Sequence, residues 1–404
     1  MSWSRRIPGI GDPPLLALVL LLSGMGIAMI YSAGQVDIRS PATGIWVRQL
    51  VWFGVALVAL ALTSRFSLRF LEWLAPWFYA VSVVLLLLVL AIGTGPNGSW
   101  LELGPGRLQP AEVAKLATIL MLARVLGARR GGYTRLVELW QPVALVVIPL
   151  GLVIRQPDLG SAVVFVMILL AALFWAGVPP FKILLLATPG VGLLLGFNWI
   201  LWGAWFLVVA VCLYIDRLTI WESLGVLLAN AAAGALTLPV WGSLAEYQRN
   251  RLLVFLDPEI DPLGAGWQLV QSKVAIGSGG LLGAGFADGP QKRLAFLPEQ
   301  HTDFIFSVVG EELGFVGVVA FLALLGLLLY RVLHTAIEAE DDFGSMIAFC
   351  LFAVLLTHVL VNIGMTIGLF PVTGLPLPLI SYGGSFLLIL YAGFGMAQRV
   401  AWER

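Results

Sequence analysis

The stretch LPEQHTDFIFSVVGEELGF, Leu297 to Phe315, sets Glu299, His301, Asp303, Glu311 and Glu312 at what reads as the edge of a membrane span, in a chain only 11% charged. An ionisable group facing inward at membrane depth is a functional candidate by default, because it is expensive there unless paired. Read as part of a helix, Asp303 shares a face with Ser307, Gly310 and Gly314, small residues that permit close packing or line a cavity. The competing reading makes Thr302 or Asp303 a helix N-cap, and physics alone leaves both open. Glu311 and Glu312 lie two turns deeper, where adjacent carboxylates need partners or protons, so a structural pairing is expected for at least one.

Other charges recur in short motifs. In RLQPAEVAKLATIL, Glu112 and Lys115 stand at i, i+3, close enough to pair on one face. They read either as a salt bridge that orients helices or as a pair that positions Asp303 or binds an anion. RQPDLGSA gives Asp158 as a helix cap, while the fork of Arg155 suits phosphate. YQRNR puts Arg249 and Arg251 beside aromatic residues, and Lys273, Lys292 and Arg293 follow. Cations beside a deep carboxylate suit a phosphate-bearing amphiphile whose tail stays in lipid; the alternative is a face drawn to anionic headgroups. The run IGSGGLLGAGF has backbone amides free to cradle an oxyanion, but without GK[ST] it fits no P-loop. NIGMTIGLFPVTGLPLPLISYGGS, Asn362 to Ser385, holds three prolines and cannot be one helix. Broken backbone at this depth must be buried in protein or line a cavity, so a cavity is expected here, with a plain re-entrant turn as the alternative.

The elements that must position these residues are membrane spans. The chain is 60% hydrophobic, its mean hydropathy is +0.96, and apolar runs of about 20 residues recur along it. The reading is an all-α polytopic membrane protein forming one integral membrane domain over 1–404. Twelve spans are placed near 13–32, 46–63, 70–93, 110–127, 139–154, 160–177, 180–197, 199–215, 219–241, 303–330, 346–369 and 380–398. The first is read as a retained span, not a cleaved leader. Cys212 and Cys350 fall in apolar runs and suggest neither a disulfide nor a metal site. One set of span ends collects Arg5, Arg6, Arg65, Arg69, Arg124, Arg129, Arg130, Arg135, Lys182, Arg217, Arg331, Arg399 and Arg404; the other has Arg39, Arg48, Arg107, Lys115 and Arg155. The positive-inside rule then puts both termini in the cytoplasm and the long loop 242–302 outside. Helical apolar spacing and tight Gly turns argue that this loop is ordered.

Together QPAEVAK, RQPDLGSA, YQRNRL, DPEIDPLGAGWQLVQSKVAIGSGGL, LPEQHTDFIFSVVGEELG and NIGMTIGLFPVTGLPLPLISYGGS resemble, in order, the SEDS family (shape, elongation, division and sporulation), the bacterial peptidoglycan glycosyltransferases RodA and FtsW. The likeness is closer to RodA, its elongation member, and is interrupted between about 198 and 245. It implies polymerisation of lipid II, the undecaprenyl-diphosphate-linked disaccharide pentapeptide, into β-1,4 glycan outside the cytoplasmic membrane. It also implies Asp303 as the essential catalytic residue, supported by Glu112 and Lys115. An inverting transfer would use Asp303 as general base, not nucleophile. Arg155, Arg249, Arg251 and Lys273 are the candidates to stabilise the diphosphate, with Gln271, Ser278, His301 and Ser381 as further binding candidates from the same motifs. A class B penicillin-binding protein is the implied partner beside membrane lipids, and nothing points to nucleic acid. A divalent cation (Mg or Mn) at the diphosphate is chemically reasonable but has no clear ligand set. The family has ten spans, so 199–241 reads as an inserted hairpin, and an even insertion keeps the later motifs on the outer face. The rival readings are a flippase for lipid-linked precursors, which also needs buried charges and broken helices, and a non-catalytic scaffold.

Overall fold

A computed structural model describes residues 10–36, 44–95, 98–103, 106–128, 132–133, 135–216, 218–261, 264–294 and 299–404. Caps and prolines set the helix boundaries. Helix α1 (Pro13–Ala33) starts at Asp12, whose carboxylate accepts from the Leu15 amide at 3.0 Å, with prolines in the first turn where no intrahelical donor is needed. Next come α2 (Ile45–Thr63) and α3 (Leu68–Ile92), then an antiparallel pair, β1 (Leu101–Leu103) and β2 (Gly106–Leu108), which leads into α4 (Pro110–Gly127). Helices α5 (Trp140–Arg155) and α6 (Leu159–Trp175) are separated by a tight turn in which Asp158 caps α6 through the Ser161 amide at 2.9 Å. Then follow α7 (Pro180–Leu195), α8 (Trp199–Asp216) and α9 (Ile220–Ser243). The long loop forms α10 (Glu246–Leu256), α11 (Ala265–Ser278) and α12 (Pro290–Arg293), and α13 (Ile305–Ile337), α14 (Asp342–Ile367) and α15 (Gly384–Trp402) complete the chain.

Each of the twelve expected spans has its helix. Among the described residues nine helical segments are long and apolar enough to cross a membrane. The remaining three are α6 and α7, which are shorter apolar helices, and α4, which carries Glu112, Lys115 and Arg124. In α14 and α15 72% and 78% of the most apolar stretch is buried, against 11% in α8, so the first two form the centre and α8 the rim. One buried cluster joins α3–α6 to α14 and α15, and a second joins α1, α2 and α13 to the same pair. Helices α8 and α9 pack chiefly on each other and on α7. Glu222 ties the start of α9 to the turn before α5 by accepting from the Leu136 amide at 2.6 Å.

Two expectations about α13 need correction. Asp303 is not on the helix but in the turn before it, so it shares no helical face with Ser307, Gly310 and Gly314. The helix is also broken at Gly314, whose φ of 63° and ψ of −170° are open to glycine and costly for other residues. The glycine run 279–285 fills that break. Amides of Ala284 and Gly285 donate to the Glu311 and Glu312 carbonyls at 2.9 and 3.1 Å, and amides of Phe315 and Val316 donate to Gly280 and Leu281 at 2.9 and 3.1 Å. The amides read as free for an oxyanion therefore repair a helix ladder that would otherwise hold unsatisfied polar groups. A Cβ on Gly283 would stand 2.0 Å from the Glu312 carbonyl oxygen, which is why position 283 is glycine.

Glu311 and Glu312 both have structural partners. Glu311 accepts from the Gln291 amide at 2.7 Å and the Lys292 amide at 3.3 Å. Glu312 pairs with the fully buried Lys292 at 2.5 Å and accepts from the Ser32 hydroxyl of α1.

Candidate active site

The site lies where the turn before α13 meets the re-entrant segment between α14 and α15, the start of α4, the α5–α6 turn, and α10. Pro371, Pro376 and Pro378 keep the re-entrant segment extended, so its carbonyls cannot bond within a helix. Side chains take them up. Asn362 Nδ2 donates to the Leu375 carbonyl at 2.7 Å and to the Asp303 carbonyl at 2.9 Å, and His358 Nδ1 lies 3.0 Å from the Pro376 carbonyl. Ser381 Oγ donates to the Thr302 carbonyl at 2.6 Å and accepts from the Leu377 amide at 2.8 Å, while the Tyr382 amide donates to His301 at 2.9 Å. The segment is thus a re-entrant stretch packed in protein, and it clamps the backbone of 301–303. Glu299 (φ 51°) and Leu379 (φ 67°) are held in left-handed conformations on either side of this clamp, a strain that persists only where the surroundings enforce it.

Clamped in this way, the Asp303 carboxylate makes no hydrogen bond among the described residues. The residue at the N-cap position of α13 is Phe304, with no side-chain cap, so neither Thr302 nor Asp303 serves as one; Thr302 Oγ instead bonds Glu299. A Cβ on Gly374 (φ 77°) would meet Asp303 Oδ2 at 3.4 Å and an Arg251 guanidinium nitrogen at 3.6 Å, so the bare glycine leaves acid and cation together over one open spot. Burial pushes the Asp303 carboxyl up from its ordinary value to about 6; Arg251 opposes that rise, and Glu299 and Asp158 add to it. Burial lowers His301, against the pull of Glu299, so its ring is neutral at pH 7. Arg251 sits over the Tyr247 ring at 5.7 Å from its centre. Tyr247 Oη and Gln248 Nε2 both donate to the Pro157 carbonyl, at 3.0 and 3.2 Å, which ties α10 to the α5–α6 turn.

Glu112 and Lys115 are both buried and bond each other at 2.7 Å. Asp158 links them to the rest of the site. It accepts from Gln109 Nε2 at 2.9 Å, just before α4, and its charge is felt by Glu112, Tyr247 and Asp303.

The other candidates stand farther out. Arg249 donates to the Leu244 and Gly242 carbonyls at the end of α9, at 2.9 and 3.1 Å. Ser278 bonds the Ala275 carbonyl within its own helix, and Gln271 lies half-buried on α11. Lys273 is exposed and rests against Gly368, which ends α14. Arg155 is exposed and borders a groove between α3 and α5. Sequence reasoning passed over Tyr247, Gln109, Asn362 and Gly374; only the TG-x-P-x-P spacing around Gly374 hinted at a special turn. Among the described residues no three Asp, Glu, His or Cys side chains converge as a metal site.

A family model described as "Cell cycle protein", for FtsW, RodA and SpoVE, matches residues 14–221 and 198–404. The chain belongs to the FtsW/RodA/SpoVE family. Among curated relatives of this family member, the peptidoglycan glycosyltransferase MrdB of Escherichia coli (strain K12) is 38% identical over 395 residues, covering 97% of this chain and 94% of the relative. A chain of a peptidoglycan synthase complex, solved in a study of how polymerization and crosslinking are coordinated, is 34% identical with a TM-score of 0.68, covering 96% and 97% of the two chains. The rod shape determining protein RodA of Thermus thermophilus is 29% identical with a TM-score of 0.63, covering 96% of each chain. With the apolar helices, this likeness makes the family member a multi-pass membrane protein.

Proposed function

We propose that this chain is a peptidoglycan glycosyltransferase that polymerises lipid II into β-1,4 glycan at the outer face of the bacterial cytoplasmic membrane, serving cell elongation and shape. The reading rests on the Asp303 carboxylate beside Arg251 over Gly374, in a family whose relatives are named for this activity. The acceptor sugar hydroxyl attacks the anomeric carbon of the lipid-linked donor. As the new C–O bond forms, the bond to the diphosphate breaks and its electron pair leaves with the diphosphate. The hydroxyl proton goes to Asp303, whose pKa of about 6 leaves it ionised at neutral pH yet basic enough to accept it. Arg251 is the nearest cation for the growing diphosphate charge. Glu112 and Lys115 act behind it through Asp158 and Gln109. A divalent cation would need a convergent ligand set that the described residues do not supply, so no step is assigned to one.

This function sets the orientation. Both termini are cytoplasmic, 242–302 is external, and 199–241 is a hairpin added to a ten-span core, leaving Asp303 on the substrate side. Cross-linking falls to a class B penicillin-binding protein. The direct test compares polymerisation of purified lipid II by the reconstituted wild type and Asp303→Asn. Wild-type glycan ladders with a loss of roughly 100-fold or more in the variant are expected; equal ladders remove Asp303 from the chemistry, and no ladders from either favour a flippase.

A further inference from the structure

His358 and Asn362 stand one turn apart on α14 and direct their donors at two adjacent carbonyls of the re-entrant segment, those of Pro376 and Leu375, at 3.0 and 2.7 Å. Leu375 and Pro376 lie outside any helix or strand, so their carbonyls need partners from elsewhere. A carbonyl only accepts, so Nδ1 of His358 carries the hydrogen. Phe386 of α15 fixes the plane of that ring, stacked on it at 4.7 Å between centres and 23° between planes. Asn362 reaches further. Its single nitrogen, Nδ2, donates to Leu375 and also, at 2.9 Å, to the carbonyl of Asp303 itself. Ser381 and the Tyr382 amide hold the carbonyls of Thr302 and His301; Asn362 holds that of the candidate base. One amide nitrogen therefore spans the backbone of Asp303 and the residue next to Gly374, the glycine over which the Asp303 carboxylate and Arg251 meet. Both His358 and Asn362 are fully buried. The charge of Lys115 is felt at His358, which puts the pair within electrostatic reach of the Glu112–Lys115 ion pair.

We propose that His358 and Asn362 are positioning residues for the transfer reaction, a two-pronged splint on α14 that fixes Asp303 relative to Gly374 and so keeps the carboxylate beside Arg251. The proposal rests on the glycosyltransferase reading and goes beyond it by naming what holds the base in place. Geometry favours this over contacts that only satisfy stray carbonyls. Separate side chains could meet such carbonyls one by one, whereas here one nitrogen joins the two segments that carry the site, and its neighbour one turn back holds the next carbonyl along.

The test uses the intact protein, reconstituted for lipid II polymerisation and in detergent for amide hydrogen exchange, as wild type, His358→Leu, Asn362→Ala and His358→Asn. The first two variants each remove one prong; the asparagine keeps a donor where Nδ1 stood. With a prong removed, kcat is expected to fall roughly tenfold or more while KM for lipid II stays nearly unchanged, the cost of a base about 1 Å out of place. Loosening Asp303 from Arg251 raises its pKa, since Glu299 and Asp158, the other charges acting on it, both push upward. The acid limb of the rate is therefore expected to move to higher pH, and His358→Asn to restore both rate and limb. A contact that serves stability alone lowers the amount of active protein and leaves the limb where it was. An unmoved limb in both His358→Leu and Asn362→Ala overturns the proposal, as does a His358→Asn variant no better than His358→Leu. Exchange gives a readout independent of activity, with uptake expected to rise at 299–304 and 371–382 together when a prong is lost. If the wild type makes no glycan, the enzymatic reading fails, and the splint stands or falls on whether those two segments loosen together.

Discussion

Asp303 depends on its neighbours for its basicity, and that dependence is measurable. A carboxyl with a pKa of about 6 accepts a proton only in its ionised form. The polymerisation rate is therefore expected to be level above about pH 7 and to fall roughly tenfold per unit well below pH 6. Arg251 favours the charged carboxylate, so removing it raises the pKa. Arg251→Gln should accordingly move the acid limb to higher pH as well as slow turnover, read from initial rates between pH 5 and 8. A slower enzyme with an unmoved limb would mean that Arg251 serves the diphosphate alone. The spacing of HTDF and YQRNR names both residues but not their adjacency, because Arg251 and Asp303 are 52 residues apart and Gly374 comes from a third segment.

At the scale of elements, the break in α13 is the feature on which α12 and the glycine run 279–285 hang. Its first half runs from the turn holding Asp303 to Glu311 and Glu312, and those two carboxylates grip α12 while the glycine run fills the break. Gly314→Ala puts a Cβ 2.2 Å from the Gly283 nitrogen in a left-handed conformation, and a loss of roughly 1–3 kcal/mol or more is expected. Lys292→Met strands Glu312 in a dry site, for an expected loss of roughly 3–5 kcal/mol, and adding Glu312→Leu should recover most of it. Thermal unfolding of the detergent-solubilised protein checks both. If Lys292→Met unfolds like the wild type, the buried pair is not what anchors the loop. Paired glutamates at this depth signalled a need for partners, but Lys292 and Ser32 stand 260 residues apart and only folding joins them.

For the whole molecule, the proposed orientation can be tested without assaying activity. With Cys212 and Cys350 replaced by alanine, a cysteine at exposed Glu259 should react with a membrane-impermeant maleimide on intact cells. One at exposed Glu340 should react only after lysis. The reverse pattern would put Asp303 in the cytoplasm and end the proposed function. The proposed insertion of α8 and α9 bears on the same point, because adding two spans preserves sidedness and adding one would invert it.

Sequence alone determined the spans, because a bilayer admits only backbone that bonds to itself, and the lengths, caps and prolines that satisfy this are local. It also named Asp303, Glu112, Lys115 and Arg251, since charge in an apolar chain is conspicuous. Tertiary structure decided which of those charges meet. It brought Arg251 to Asp303, gave Asp158 the link to Glu112, used the glycine run to mend a helix, and left Arg155 at the border of a groove between α3 and α5. Each of these contacts joins segments far apart in the chain, where the partner is set by packing, and packing leaves no periodic trace in the sequence.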